Sequence, residues 1–286
     1  DAFVAVEELA ESDRRRPLPP AVVIGGGVVV AIVALALVSY VWTPYAPMRV
    51  LSSSEAYQTP NGQHWLGTDR FRRDVFTQIL VGARTTLYVG FVAVGVAAIL
   101  GVPLGVIAAM SRGWLGQLIM RSNDVLLAFP ALLLAIMLAA LYGGSTTVAM
   151  IAIGIATVPA FARITRSGAL GVMSTEYVLA ARAAGRSPLG IAMRHVVPNV
   201  AGLLIVQASV SFAIAILAEA ALAYLGLGTP TGQASWGRML FEAQTTIRSA
   251  PHLVLIPGGA IALSVLGFNL LGDGIRDWLD PKLADR

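Results

Sequence analysis

Long apolar runs separated by short polar stretches dominate this chain. Val22 to Val38 carries no charge, and the run around it extends from about Ala21 to Trp42. That meets the roughly 20 apolar residues a bilayer span requires. Comparable runs follow at about Thr86–Met110, Val125–Tyr142, Thr147–Ala162, Ala201–Leu225 and Leu253–Leu271. The pattern predicts an all-α membrane protein with six transmembrane helices. It divides the chain into a tail (1–20), a first span (21–42) and an external loop with its lead-in segment (43–85). A five-helix core (86–272) and a second tail (273–286) complete it. The boundary between the third and fourth spans, at Gly143–Gly144, is the least marked. The first run is too long for a signal peptide and no small-x-small cleavage site follows it.

Composition supports the bilayer as solvent. Hydrophobic residues make up 56% of the 286 and charged residues 13%, about half the charged share of a soluble domain. Mean hydropathy is +0.74. The absence of cysteine excludes disulfides and thiolate metal sites. The formal charge of +4 does not call for nucleic acid, because arginines gather on the cytoplasmic side of membrane proteins. A cytoplasmic N-terminus puts Arg14–Arg16, Arg112, Arg121, Arg163, Arg166, Arg182, Arg186, Arg194, Arg276, Lys282 and Arg286 inside. The outside then holds the smaller set, including Arg70, Arg72, Arg73 and Arg84. Both termini are therefore expected in the cytoplasm. Tyr40, Trp42 and Tyr45 suit an interfacial belt.

Within the second span, Gly101 and Gly105 have the small-xxx-small spacing that lets helices approach closely, and Pro103 between them is expected to bend the helix. The polar stretch 173–199 stands apart from the spans. Ser174 or Thr175 suits a helix cap, with Glu176 at the positive end of the dipole. Ala180 and Ala181 give a low surface that a partner groove accepts. Gly185 suits a left-handed stop. Ser187 then caps a second helix with Pro188 at its first position, and Pro198 is expected to close that piece before the fifth span. Helix, sharp corner, helix is the predicted form; an amphipathic interfacial helix would not explain the Gly-x-Ser-Pro corner.

The order Glu176, Ala180–Ala181, Gly185, Arg194, His195, Pro198 resembles the EAA cytoplasmic loop of ABC-importer permeases. "HWLGTDRFRRDVFTQILVGARTTLYVG" (His64–Gly90), "RSNDVLLAFPALLLAI" (Arg121–Ile136), "EAALAYLGLGTPTGQASWGRML" (Glu219–Leu240) and "PGGAIALSVLGFNLLGDGIRDWLDPKL" (Pro257–Leu283) are similar to dipeptide/oligopeptide permeases, C-type subunit. One departure is Arg72, where the family pattern GTDxxGRD has glycine.

This resemblance implies the type I permease architecture and a bacterial cytoplasmic (inner) membrane location. It also implies several partners: a second homologous permease subunit, two ATPase domains or subunits and an external peptide-binding protein. Peptide would be the cargo, with nickel chelates, glutathione or an opine as alternatives on the same architecture. Glu176, Tyr177, Ala180, Ala181, Gly185, Arg194, His195 and Pro198 are implied as ATPase-coupling residues. ATP and magnesium would be bound by the partner ATPases; the one lysine, Lys282 in "LDPKLAD", lies in no P-loop, and no cofactor or metal site is expected here. A secondary transporter is the alternative of another class, but no convincing inverted repeat is present.

Among the remaining polar residues, Glu219 falls in an apolar span, so it is a pathway or gate candidate. Its structural alternative is a carboxylate bonded to backbone or arginine. Asp124 is expected to cap the third span. His64, His195 and His252 have no metal-ligand spacing. Asp273, Arg276, Asp277 and Asp280 read as a solvated tail. Ser145 with His252 only faintly mimics a membrane protease.

Overall fold

The computed structural model describes residues 18–51, 56–111, 113–142, 145–230 and 232–279. Arg14–Arg16, Arg112, the Gly143–Gly144 boundary, Asp280, Lys282 and Arg286 lie outside the described residues. The described chain is helical, with a single isolated bridge between Thr68 and Asp74. The helices are α1 (Pro20–Val41), α2 (Val75–Met110), α3 (Trp114–Ala128), α4 (Ala131–Tyr142) and α5 (Thr146–Met173). They continue as α6 (Glu176–Ala183), α7 (Pro188–Ile191), α8 (Val197–Tyr224), α9 (Trp236–Ala243) and α10 (His252–Leu279). Five helical stretches are long and apolar enough to cross a membrane, and α3 with α4 makes a sixth if counted as one bent span.

Several boundaries differ from the hydropathy pattern. The expected third span, Val125–Tyr142, is not one helix. Its two pieces meet at 81°. Pro130 has no N–H to donate and disfavours a helical residue before it, and Phe129 accordingly sits at φ −88°, ψ 124°. Asp124 therefore lies inside α3 and caps nothing; it accepts from Arg163 of α5 at 2.7 Å in an exposed ion pair. Helix α2 starts eleven residues before the expected Thr86 because Asp74 caps it, its carboxylate accepting from Thr77 N–H at 2.7 Å. Helix α5 runs on to Met173. Helix α10 carries Asp273, Arg276 and Asp277 as helix rather than tail. Pro103 lies inside α2 without ending it.

Glycines let the long helices meet. A Cβ at Gly101 would stand 2.6 Å from Phe161 Cβ, and one at Gly105 2.5 Å from the Ala162 carbonyl. The α2–α5 contact thus uses the small-xxx-small pair as its spacing suggests. Three apolar clusters result. One joins α1, α2, α8, α9 and α10 around Phe212, Ile216, Trp236 and Phe268. A second joins α2, α4, α5 and α8 around Val89, Met150, Ile153 and Leu222. The third, around Val106, Ala169, Val178, Ile191, Ala192 and Val196, fixes the polar stretch to the bundle.

Candidate functional site

The stretch after α5 folds as a two-armed elbow. Helix α6 ends in a Schellman arrangement: Arg186 N–H bonds to Ala181 O at 3.1 Å and Gly185 N–H to Arg182 O at 3.0 Å. Gly185 takes φ +78°, where a side chain would be strained. Ser187 Oγ accepts from Gly190 N–H at 3.1 Å, with Pro188 in the first turn of the second arm. The start of α6 differs from the expected cap. Thr175 Oγ1 donates to Val172 O at 2.7 Å and Ser174 Oγ to Gly171 O at 2.8 Å. Both hydroxyls bond back to carbonyls at the end of α5, which also accept from the Ser174 and Thr175 N–H groups, instead of capping α6.

One face of the elbow is anchored and the other is open. Val178, Ile191 and Val196 are fully buried, and each side chain of that size withdrawn from water contributes about 1.5–3 kcal/mol. Glu176, Tyr177, Ala180 and Gly185 are exposed, Ala181 is half-buried, and Leu189 and Met193 expose 72% and 62% of their surface. Arg194 is exposed. The rings of Tyr177 and His195 face each other across the arms with centroids 5.8 Å apart.

The second arm does not end at Pro198. Helix runs without a break from Pro188 to Tyr224, and Pro198 sits in the first turn of α8. A π-helical turn over Ala192–Val196, closed by Val197 N–H on Ala192 O, widens the backbone ahead of the proline. It makes room for a ring that would clash in a regular helix. Asn199 Nδ2 donates to His195 O at 2.6 Å, a side-chain bond back across this irregular turn. The second arm and α8 therefore form one continuous helical piece.

Glu219 is buried in α8, 4% exposed. Its carboxylate accepts from Thr229 Oγ1 at 2.9 Å and from the Ser235 hydroxyl. Its partners are hydroxyls, neither arginine nor backbone.

The opposite end of the bundle holds a charge network whose pairing the sequence motifs did not show. Arg73 bonds Asp69 (2.6 Å) and Glu242. Glu242 also accepts from Arg238 Nε at 3.0 Å, and Gln78 Nε2 donates to Asp69 at 3.0 Å. His64 Nδ1 lies 2.9 Å from Asp74, the cap of α2. Asp69, Arg73 and Asp74 fall in the GTDxxGRD-like segment, but that pattern does not show what they pair with; the partner Glu242 lies 169 residues away in sequence. Arg72 adopts φ +62°, so the turn forms with arginine where the family pattern has glycine. Among the described residues no cluster of three or more His, Cys, Asp or Glu is placed to hold a metal ion.

The chain is 41% identical over 289 residues to the dipeptide transport system permease protein DppC of Alkalihalophilus pseudofirmus, covering 99% of this chain and 93% of that one. It is 38% identical over 270 residues to the glutathione transport system permease protein GsiD of Pectobacterium atrosepticum, covering 94% and 90%. Its fold is similar to a chain of the MetNI methionine ABC transporter in an inward-facing conformation. The TM-score is 0.59 with 16% identity, over 71% of this chain and 97% of that chain. Residues 101–285 match the family of binding-protein-dependent transport system inner membrane components. With that match spanning the elbow and the helices that hold it, this multi-pass inner-membrane chain belongs to the binding-protein-dependent permease family, in the type I ABC-importer fold.

Proposed function

We propose that the chain is one channel subunit of an ATP-driven importer of di- and oligopeptides. Its 173–199 elbow would be the contact through which separate ATPase subunits drive it. The observation that carries this is the elbow's build: an open face of Glu176, Tyr177, Ala180, Leu189 and Met193 over a side anchored by Val178, Ile191 and Val196, with the second arm continuous with α8. Force on the open face would move a spanning helix directly. Ala180 and Ala181 let a groove close over α6, while Arg194 and His195 border the second arm.

In this reading a second homologous permease subunit completes the pathway, and two ATPase subunits bind ATP and magnesium on the cytoplasmic side. An external binding protein delivers the cargo. Both termini are cytoplasmic, lipid surrounds the bundle and nucleic acid has no part. The chain itself performs no catalysis. Glu219, in the apolar bundle at the end of α8 away from the elbow, is a gate candidate whose hydroxyl partners let it rearrange without stranding a charge.

Peptide cargo is supported by the dipeptide permease relative. The glutathione permease relative favours a second reading, with glutathione as the cargo. Uptake by a strain lacking this chain separates them when a plasmid copy restores it. The main reading expects restored uptake of a radiolabelled dipeptide; restoration of glutathione uptake alone would replace it with the second. Co-purification of an ATPase subunit with the tagged chain tests the importer class, and its absence would favour a secondary transporter.

A further inference from the structure

Arg84 of α2 lies against the last turn of α1. Its Nε donates to Ser39 Oγ, and Ser39 in turn donates to Ala36 O at 2.6 Å. The guanidinium carbon stands 3.9 Å over the Tyr40 ring. Among the described residues no carboxylate comes within ion-pair distance of Arg84. The hydroxyl and the ring fix the group in place and leave its charge uncompensated.

The surroundings are those of a membrane–water boundary. Tyr40 is 70% exposed and Val41 91%. Trp42 follows and packs against Trp65 with centroids 6.4 Å apart. Only 17% of the most apolar stretch of α1 is buried within the protein, so most of α1 is left for other apolar material to cover. Helix α1 is apolar up to Val38, which places Arg84 where acyl chains give way to headgroups. A guanidinium is planar, permanently charged and suited to two parallel bonds with phosphate oxygens. At such a boundary an arginine reaches the level of the phosphates.

We infer that Arg84, with Ser39 and Tyr40, forms a binding site for the phosphodiester of a phospholipid in the outer leaflet, seated at the α1–α2 junction. Tyr40 carries the headgroup side of the lipid, and the exposed α1 surface its acyl chain. Ser39 sets the guanidinium's direction through Nε and leaves the terminal nitrogens for the phosphate. The site recognises the phosphodiester and not the headgroup beyond it, since no further side chain is implicated.

The test is native mass spectrometry of the detergent-solubilised transporter complex, titrated with phosphatidylglycerol, phosphatidylethanolamine or a phosphate-free galactolipid. Arg84→Gln is expected to weaken one phospholipid-binding event about fivefold for both phospholipids, the effect of one basic residue at a membrane surface. Binding of the galactolipid should not change, Arg84→Lys should keep most of the affinity, and 10 mM inorganic phosphate should not displace the lipid. Tyr40→Leu, at an exposed position that leaves the core intact, should weaken the same event if Arg84→Gln fails to fold. Equal phospholipid binding by wild type and Tyr40→Leu together with Arg84→Gln, or an equal loss of galactolipid, would overturn the site. So would displacement by inorganic phosphate, which would mark a soluble-anion site instead.

Discussion

Tyr177 on the first arm of the elbow and His195 on the second face each other with ring centroids 5.8 Å apart. Gly185 and Ser187 turn the chain between them, so this contact braces a corner already set by backbone hydrogen bonds. Removing it should loosen the arms without detaching either from the bundle. Tyr177→Ala is expected to cost about 0.5–1.5 kcal/mol of local stability, the worth of an aromatic pair. Amide exchange should quicken in residues 176–190 while α8 exchanges at its normal rate; equal exchange throughout would show that the rings do not brace the corner.

Gly185 separates backbone strain from packing. A Cβ there meets nothing within 4 Å, yet its φ is +78°. Gly185→Ala should destabilise the elbow by about 1 kcal/mol through the left-handed backbone alone, and Gly185→Asn by less. Limited proteolysis at Arg182 and Arg186 reads this order, with Ala cut fastest, Asn next and wild type slowest.

Arg72 offers the reverse experiment. It holds φ +62°, a conformation glycine adopts freely. Arg72→Gly should raise stability by about 1 kcal/mol, visible as a higher melting temperature of the purified complex. A lower melting temperature would mean that the arginine side chain contributes more than its backbone costs.

Arg73 ties Asp69 to Glu242, with side chains 7%, 13% and 6% exposed. Removing one partner of a buried pair leaves an uncompensated charge, typically at 3–5 kcal/mol. Arg73→Met should therefore destabilise strongly, while the double change Arg73→Met with Glu242→Leu should recover part of the loss. Thermal unfolding of the single and double variants decides this; no recovery would show that Arg238 already satisfies Glu242.

The helix contacts supply a matched pair. A Cβ at Gly105 would come within 2.5 Å of α5 backbone, whereas at Gly95 nothing lies within 4 Å. Gly105→Ala should lower the melting temperature and Gly95→Ala should not; equal effects would show that α2 and α5 part easily.

Much of this arrangement was legible in the sequence where local chemistry decides it. Gly185, Ser187 and Pro188 specify a corner whatever surrounds them, and the Gly101–Gly105 spacing marks a close approach. Hydropathy, by contrast, reports the thickness of a bilayer and not the length of a helix. It therefore missed the extension of α2 back to Val75 and of α5 out to Met173. The 81° break was signalled by Pro130, yet the apolar run through it read as continuous. Pro198 looked like a stop because a regular helix cannot hold it, and only a π-helical turn resolves that conflict. The pairing of Arg73 with Glu242 joins residues too far apart in sequence for any pattern to link them.

The most direct test of the central claim places the elbow between ATP hydrolysis and transport. In proteoliposomes holding the complete importer, Glu176→Ala with Tyr177→Ala should leave membrane insertion and assembly intact. Peptide uptake should fall at least about tenfold, the effect of losing about 1.4 kcal/mol of coupling, while ATP hydrolysis no longer responds to the loaded binding protein. Unchanged uptake, with hydrolysis still stimulated, would contradict the account.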